Sequence, residues 1–389
     1  MKTGNLFLLV FVILASCLAC CMTGSGGSGS SGRQPVSPPS QVPTPAPLPP
    51  TPSLGTPPAT SVPAPLPIRG DQPADRVTIR FNSSGKVRQV SFDLDTAALP
   101  TTGGGNDCPL SSWHPDDTQE LAAYYAGIFR DPAEDALYTP LISELRRIRR
   151  TENLNDDEYL ELMVNLVQAI PYDPSAPVCP RTPAGVILDG KGDCDEKSLL
   201  LLGMLYREGY DAAILLFPAM HHATAGIRIQ LETQPSFRVF DLGGRKYVYI
   251  ETTHPSFIGL YPDGFEDQDP VIVPTGKGNI TYRAINDVMH IVSTQKRMEE
   301  KLRWINETGT GMLAEIQDLE QKLRSGTGYS SQEDFDADYT KYVSLVTQYN
   351  AYVDEFGKIL DVYQYVLDHQ TDRHGVSGRI ANSKVEDLL

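Results

Sequence analysis

The sequence predicts an α+β domain, a cysteine-bearing helix packed on an antiparallel sheet, followed by a long antiparallel helical hairpin. Three observations predict it. Within residues 111–275, helical patterns come before residue 210 and strand-like runs after it, the order that segregates helices from a mostly antiparallel sheet. A cysteine, Cys194, opens the last of those helices behind two closely spaced glycines, Gly190 and Gly192. Beyond residue 284, apolar residues recur at alternating four- and three-residue steps in two successive runs.

Taken from the start, residues 1–21 form a leader. After Lys2 comes an apolar run over residues 6–14, then Ala15 and Ser16 before Cys17. The order Leu14-Ala15-Ser16-Cys17 resembles a lipoprotein processing box, with Cys17 the lipidated residue; Cys20 and Cys21 are rival positions, and an uncleaved signal anchor is the alternative. Either way the rest of the chain is expected outside the cytoplasm, held at the cell membrane by its N-terminus. Residues 22–75 are rich in Gly and Ser and then in Pro, with too little apolar surface to offset chain entropy, and are expected to be a disordered spacer. A ligand for proline-recognition modules is the rival reading of that stretch.

Order is expected from residue 76. Residues 77–81 and 87–94 alternate apolar and polar around Asn82-Ser83-Ser84-Gly85, predicting a β-hairpin within a region ending near residue 110. The main domain is expected over 111–275. Its helices fall at about 117–130, 133–150 and 156–169, the last capped by Asn155 with Asp156, Asp157 and Glu158 in its first turn. The helix from Cys194 should stop at Gly209. Strands follow at 212–217, 225–231 and 246–252, the last after the turn Gly243-Gly244.

Residues 276–389 carry the hairpin. One register runs Val288, Ile291, Gln295, Met298, Leu302, Ile305, Gly309, Met312, Ile316, Leu319, Leu323; the other runs Phe335, Tyr339, Tyr342, Val346, Tyr349, Val353, Phe356, Leu360, Tyr363, Leu367. Gly326-Thr327-Gly328 provides the reversal, and each arm is expected to span about 50 Å. Tyr339, Tyr342, Tyr349 and Tyr363 should line the seam, and their hydroxyls require either an edge-exposed seam or something docked on it. The hairpin is therefore the candidate element for self-association or partner binding.

Composition removes one function class. Asp and Glu outnumber Lys and Arg by 49 to 33, for a formal charge of −16, so the surface repels nucleic acid. Asn82, Asn279 and Asn306 each begin an Asn-x-Ser/Thr sequon. Near the cysteine no His-x-x-x-His or Cys-x-x-Cys pair occurs, so neither a metal nor another cofactor is called for.

The chemistry is concentrated around Cys194. At a helix N-terminus the partial positive charge of the amides favours thiolate, and a following amide can stabilise an oxyanion; a buried structural cysteine is the plain alternative. Further on, Met220-His221-His222-Ala223 places histidines at the mouth of a strand, and Tyr247-Val248-Tyr249-Ile250 ends in Glu251-Thr252-Thr253. Nucleophile, base and orienting acid are thus all present. The ordered series Val167-Gln168-Ala169-Ile170-Pro171-Tyr172, Arg181-Thr182-Pro183, Gly192-Asp193-Cys194-Asp195-Glu196, His222 four before Gly226, and Glu251-Thr252-Thr253 resembles the transglutaminase-like superfamily, and within it the bacterial and archaeal cysteine proteinase branch. The resemblance covers about residues 150–260 and implies a papain-like core. It implies Cys194 as nucleophile, His222 as base and Glu251 as orienting acid, acting on a protein or peptide amide. His221 is the alternative base, His254 a bystander, and Gln168 a candidate oxyanion donor. Many members carry an aromatic residue where this chain has Thr224, which leaves the acyl acceptor, water or an amine, undetermined. A non-catalytic surface scaffold with the hairpin as binding element is the rival function. With Cys194 assigned to this motif, Cys108 and Cys179, each followed by proline, are the expected disulfide, closing a loop whose constraint is worth roughly 4 kcal/mol.

Overall fold

The computed structural model describes residues 45–46, 75–99, 118–175, 179–230, 237–262 and 268–389. The leader with Cys17, the linker apart from Pro45, Ala46 and Asp75, and Cys108 lie outside the described residues. No helix among those described is long and apolar enough to cross a membrane.

The predicted hairpin is present and longer than its apolar runs: β1 (Asp75–Ser83) and β2 (Lys86–Leu94) pair antiparallel in register from end to end. Ser84 and Gly85, at φ 52° and 68°, form a two-residue turn whose handedness matches the strand twist. Period-two alternation puts Val77, Ile79, Phe81, Val90, Phe92 and Leu94 on one face, buried in the main core. Helices α1 (Thr118–Arg130), α2 (Asp135–Glu152) and α3 (Asp156–Gln168) follow as predicted. Asn155 caps α3 reciprocally with Glu158, so the first-turn signal held its meaning. A short helix, α4 (Pro183–Asp189), was not predicted; Thr182 caps it, Pro183 starts it, and Gly190 ends it at φ 66°. Then α5 (Cys194–Glu208) runs to Gly209 at φ 79°. Leu199 to Leu202 are all fully buried, because α5 lies between the other helices and the sheet.

The sheet is wholly antiparallel in the order β5 (Phe240–Leu242), β6 (Arg245–Ile250), β4 (His222–Ile229), β3 (Ala212–Phe217), β7 (Val271–Pro274). The chain is therefore α+β, with helices packed on one face. A small aromatic cluster of Leu215, Phe217, Phe240 and Tyr249, with Tyr261 against it, covers the other face. β4 and β7 depart most from expectation. β4 starts three residues earlier than its apolar run, because a single helical turn at Pro218–Met220 and His221 at φ 48° reverse the chain so tightly that His222 already pairs with Phe217. β7 was missed, being four residues long and mostly half-exposed, too short to show a period.

The C-terminal helices α6 (Ile285–Ser325) and α7 (Gln332–Asp368) pack against each other across the turn at Gly326 and Gly328. Ion pairs Lys301–Glu355, Lys341–Glu315 and Lys322–Asp338 step towards that turn, which fixes the antiparallel register. At 41 and 37 residues the arms are longer than expected, about 60 and 55 Å. The seam follows the predicted register in the distal half. Nearer the domain it departs: Thr294 is buried in place of Gln295, and Ile359, Val362 and Val366 in place of Leu360 and Leu367. There a further helix, α8 (Arg373–Ser383), packs on both arms and turns the buried face towards itself. The proximal halves also share the main core, and Arg373 joins Glu161 of α3 to Asp287 of α6 at 2.7 and 2.6 Å. The proximal hairpin thus packs into the main core across residue 276, while the distal half has a hydrophobic cluster of its own.

Candidate active site

The loop that delivers Cys194 is held by buried charge. Glu196, fully buried on α5, receives both arms of the Arg181 guanidinium, Nε to Oε1 at 2.8 Å and Nη2 to Oε2 at 2.7 Å, and the Arg181 amide at 2.8 Å. Arg181 also donates to Asp173 and Asp189. A forked guanidinium on a carboxylate is both strong and geometrically selective, so the Arg-Thr-Pro and Asp-Cys-Asp-Glu segments are locked to each other. Glu196 Oε2 further accepts from the Asp193 amide while Asp193 accepts from the Glu196 amide, a reciprocal cap that places Cys194 at the first position of α5.

Cys194 is a half-exposed free thiol. The backbone amides of Ala223, the residue after His222, and of Asp195 both hydrogen-bond towards its sulfur. The expectation of a lowered thiol pKa is overturned. Burial, with the carboxylates of Asp195 and Asp193 nearby, outweighs those two amides and pushes the Cys194 thiol up to about 12. Asp193 is itself pushed up, first by burial and then by sharing a hydrogen bond with Asp195.

His222 and Glu251, expected as base and orienting acid, are not in direct hydrogen-bond contact. The Tyr249 hydroxyl stands between them, 2.9 Å from His222 Nε2 and 3.0 Å from Glu251 Oε2. Glu251 is buried, yet its carboxyl is held below the usual range: burial acts against this, and the Thr253 hydroxyl and amide, the His254 charge and the Tyr249 hydroxyl together prevail. An ionised Glu251 can only accept, so Tyr249 donates to it and accepts from a protonated His222 Nε2. This fixes the tautomer with Nδ1 as the basic nitrogen. Burial lowers the His222 pKa, with Glu251 and Asp195 opposing, so the imidazole is neutral near pH 7. His221, exposed on the turn, and His254, exposed beside Glu251, stay outside the Tyr249 chain.

Gln168 has a different place from the one anticipated. Its Nε2 donates to the carbonyls of Glu251 and Ser256, both at 2.9 Å, so both amide hydrogens are used and none remains for an oxyanion. It is a clamp on the Glu251 segment. Lys197 works beside it: the side chain is fully buried, and Nζ donates to the carbonyls of Ile170 at 2.5 Å, Thr253 at 3.2 Å and Gln168 at 3.4 Å. Burial, opposed by Glu251, pushes Lys197 down to about 7. Sequence reasoning missed both Lys197 and Tyr249. The available signals were a lysine at the head of an otherwise apolar helix and the two-residue spacing of Tyr249 and Glu251, which puts them on one strand face.

Tyr172, half exposed, lies beside Cys194 and the two aspartates, close enough for their charges to raise its hydroxyl pKa after burial. Thr224, where the family resemblance leads one to expect an aromatic residue, is fully buried and donates to the Ile250 carbonyl, tying β4 to β6. Cys179 is disulfide-bonded, and its expected partner, Cys108, lies outside the described residues. Compared with protein-family models, curated proteins and solved structures, the chain matches none.

Proposed function

We propose that the protein is a membrane-tethered, extracytoplasmic thiol enzyme of the transglutaminase-like kind, with a papain-like arrangement of its α+β core, acting on amide bonds of proteins or peptides. The observation that carries this reading is the chain from His222 through Tyr249 to an ionised Glu251, set one residue from the amide that touches the Cys194 sulfur. In the reaction, the Cys194 sulfur bonds to the amide carbonyl carbon as its proton passes to His222 Nδ1. The Ala223 and Asp195 amides, which already donate towards the sulfur, are the candidate donors to an oxyanion formed there. Collapse breaks the carbon–nitrogen bond, and the amine leaves with the proton from Nδ1. The acyl group on sulfur then passes to water, returning a carboxylic acid and the free thiol; an amine acceptor would give a new amide by the same route.

A second reading, a surface scaffold that retains the site without turning over, is favoured by the resting pair itself: a thiol pushed up and an imidazole pushed down hold no ion pair. Labelling of the purified protein with a peptidyl thiol-directed probe separates the two. The enzyme reading expects labelling at Cys194, none in Cys194→Ala, and strong slowing in His222→Ala but not in His221→Ala. Labelling of His222→Ala at the wild-type rate would favour the scaffold.

A further inference from the structure

The distal half of the helical hairpin is buried more deeply than its two helices explain. Tyr342, Val346 and Tyr349 of α7 are 0–1% exposed, and with Ile316, Leu319 and Phe335 they form a cluster separate from the main core. In a two-helix seam, side chains as long as tyrosine keep a flank in solvent. Near the domain the third layer is α8 with the C-terminal turn. α8 itself pairs with Asp361 of α7 through Arg379, and the C-terminal turn reaches Arg297 of α6 through Glu386, all on the domain side of the tyrosine cluster. Neither of these ion pairs reaches the distal part.

The described residues place one linker contact there. The Ala46 amide donates to Asn350 Oδ1 at 2.9 Å across 304 residues of sequence, and Pro45 and Ala46 are half-buried. Asn350 follows Tyr349 and lies one helical turn from Val346 and Val353, at the margin of the tyrosine stripe. The sequence around Ala46 is Pro43-Thr44-Pro45-Ala46-Pro47-Leu48-Pro49-Pro50. Such a segment favours the extended polyproline-II form, which has no internal hydrogen bonds and loses little entropy on docking against aromatic side chains. Prolines on both sides of Ala46 have no N–H, so its amide is the local donor that a docked strand must satisfy, and Asn350 satisfies it.

We propose that residues 43–50 of the proline-rich linker are a strap laid along the tyrosine stripe of α7 in the same molecule, anchored at Asn350. The linker is then a spacer only on the membrane side of the strap, and the hairpin is a polyproline-binding surface occupied by its own chain. Nothing in this depends on catalysis at Cys194.

Amide hydrogen exchange on the full chain tests it, with residues 43–50 replaced by an equal length of Gly and Ser, and separately with Asn350→Ala. The strap predicts exchange faster by on the order of tenfold or more across residues 339–353 of α7 in the Gly/Ser chain. It predicts a smaller change in Asn350→Ala, confined to the neighbourhood of residues 46 and 350. Exchange in α5 and β4 should be unaltered, which shows that the variants fold. A free peptide of residues 41–52 should restore protection to the Gly/Ser chain. Unchanged exchange in α7 would overturn the proposal. So would protection that disappears on dilution of the wild-type protein, which would mean that the strap comes from a second copy.

Discussion

Replacing Tyr249 by Phe removes one oxygen and breaks two contacts, the 2.9 Å bond to His222 Nε2 and the 3.0 Å bond to Glu251 Oε2. The ring should keep its place, since Phe217 and Tyr261 stand against it with centroids 6.4 and 5.4 Å away, and Phe240 belongs to the same buried cluster. His222 then loses the acceptor that selects its tautomer, and the two bond lengths leave a gap too wide for Glu251 to close by itself. A charge-assisted hydrogen bond is worth about 1.5–3 kcal/mol and a neutral one about 1. If only the orienting part of this reaches the transition state, the loss is roughly 2 kcal/mol, a fall of about 30-fold in kcat/KM. Probe labelling of Cys194 and peptide turnover, each followed against pH, read it out; the pH midpoint assigned to His222 should move as well as the rate. The comparison with Glu251→Gln is decisive. If His222, Tyr249 and Glu251 act as one unit, the double variant should be little worse than the worse single variant. A Tyr249→Phe protein with wild-type rate and pH profile would refute the relay, and so would strict additivity with Glu251→Gln.

The remaining expectations concern the scaffold and the thiol. Lys197→Met should destabilise the fold by about 2 kcal/mol, because it leaves three buried carbonyls without their donor; denaturant unfolding that shows no loss would contradict the clamp. The same variant tests a sign: with Lys197 held down to about 7 in the fold and near 10.5 when unfolded, the unfolded chain carries the extra proton between those values, so wild-type stability should rise with pH across that window and the rise should shrink in Lys197→Met. Alkylation of Cys194 by iodoacetamide should keep accelerating above pH 9, since burial and the flanking aspartates hold the thiol high; a plateau below pH 7 would instead reveal a resting thiolate–imidazolium pair. Peptide mapping under non-reducing conditions should recover Cys179 joined to Cys108, and recovery of Cys179 with any other cysteine would refute the assignment.

What the sequence determined by itself is what depends on neighbours along the chain. Asn155 with Glu158, and Asp193 with Glu196, are caps built within four residues; the first helix start was read from Asn155, whereas that of α5 was read from Cys194 and the glycines before it. Gly209 as a stop, the Ser84-Gly85 turn and the long apolar registers of α6 and α7 are local in the same sense. So was the order in which cysteine, histidine and glutamate occur. Tertiary structure decided everything that joins distant segments in a low dielectric. Arg181 finds Glu196, Lys197 bridges two loops, Tyr249 rather than empty space lies between His222 and Glu251, and Gln168 gives its hydrogens to carbonyls instead of a substrate. The sign of the Cys194 shift was decided there too. A helix N-terminus lowers a thiol pKa wherever it occurs, but how far burial and two carboxylates oppose it depends on what the fold packs around the sulfur.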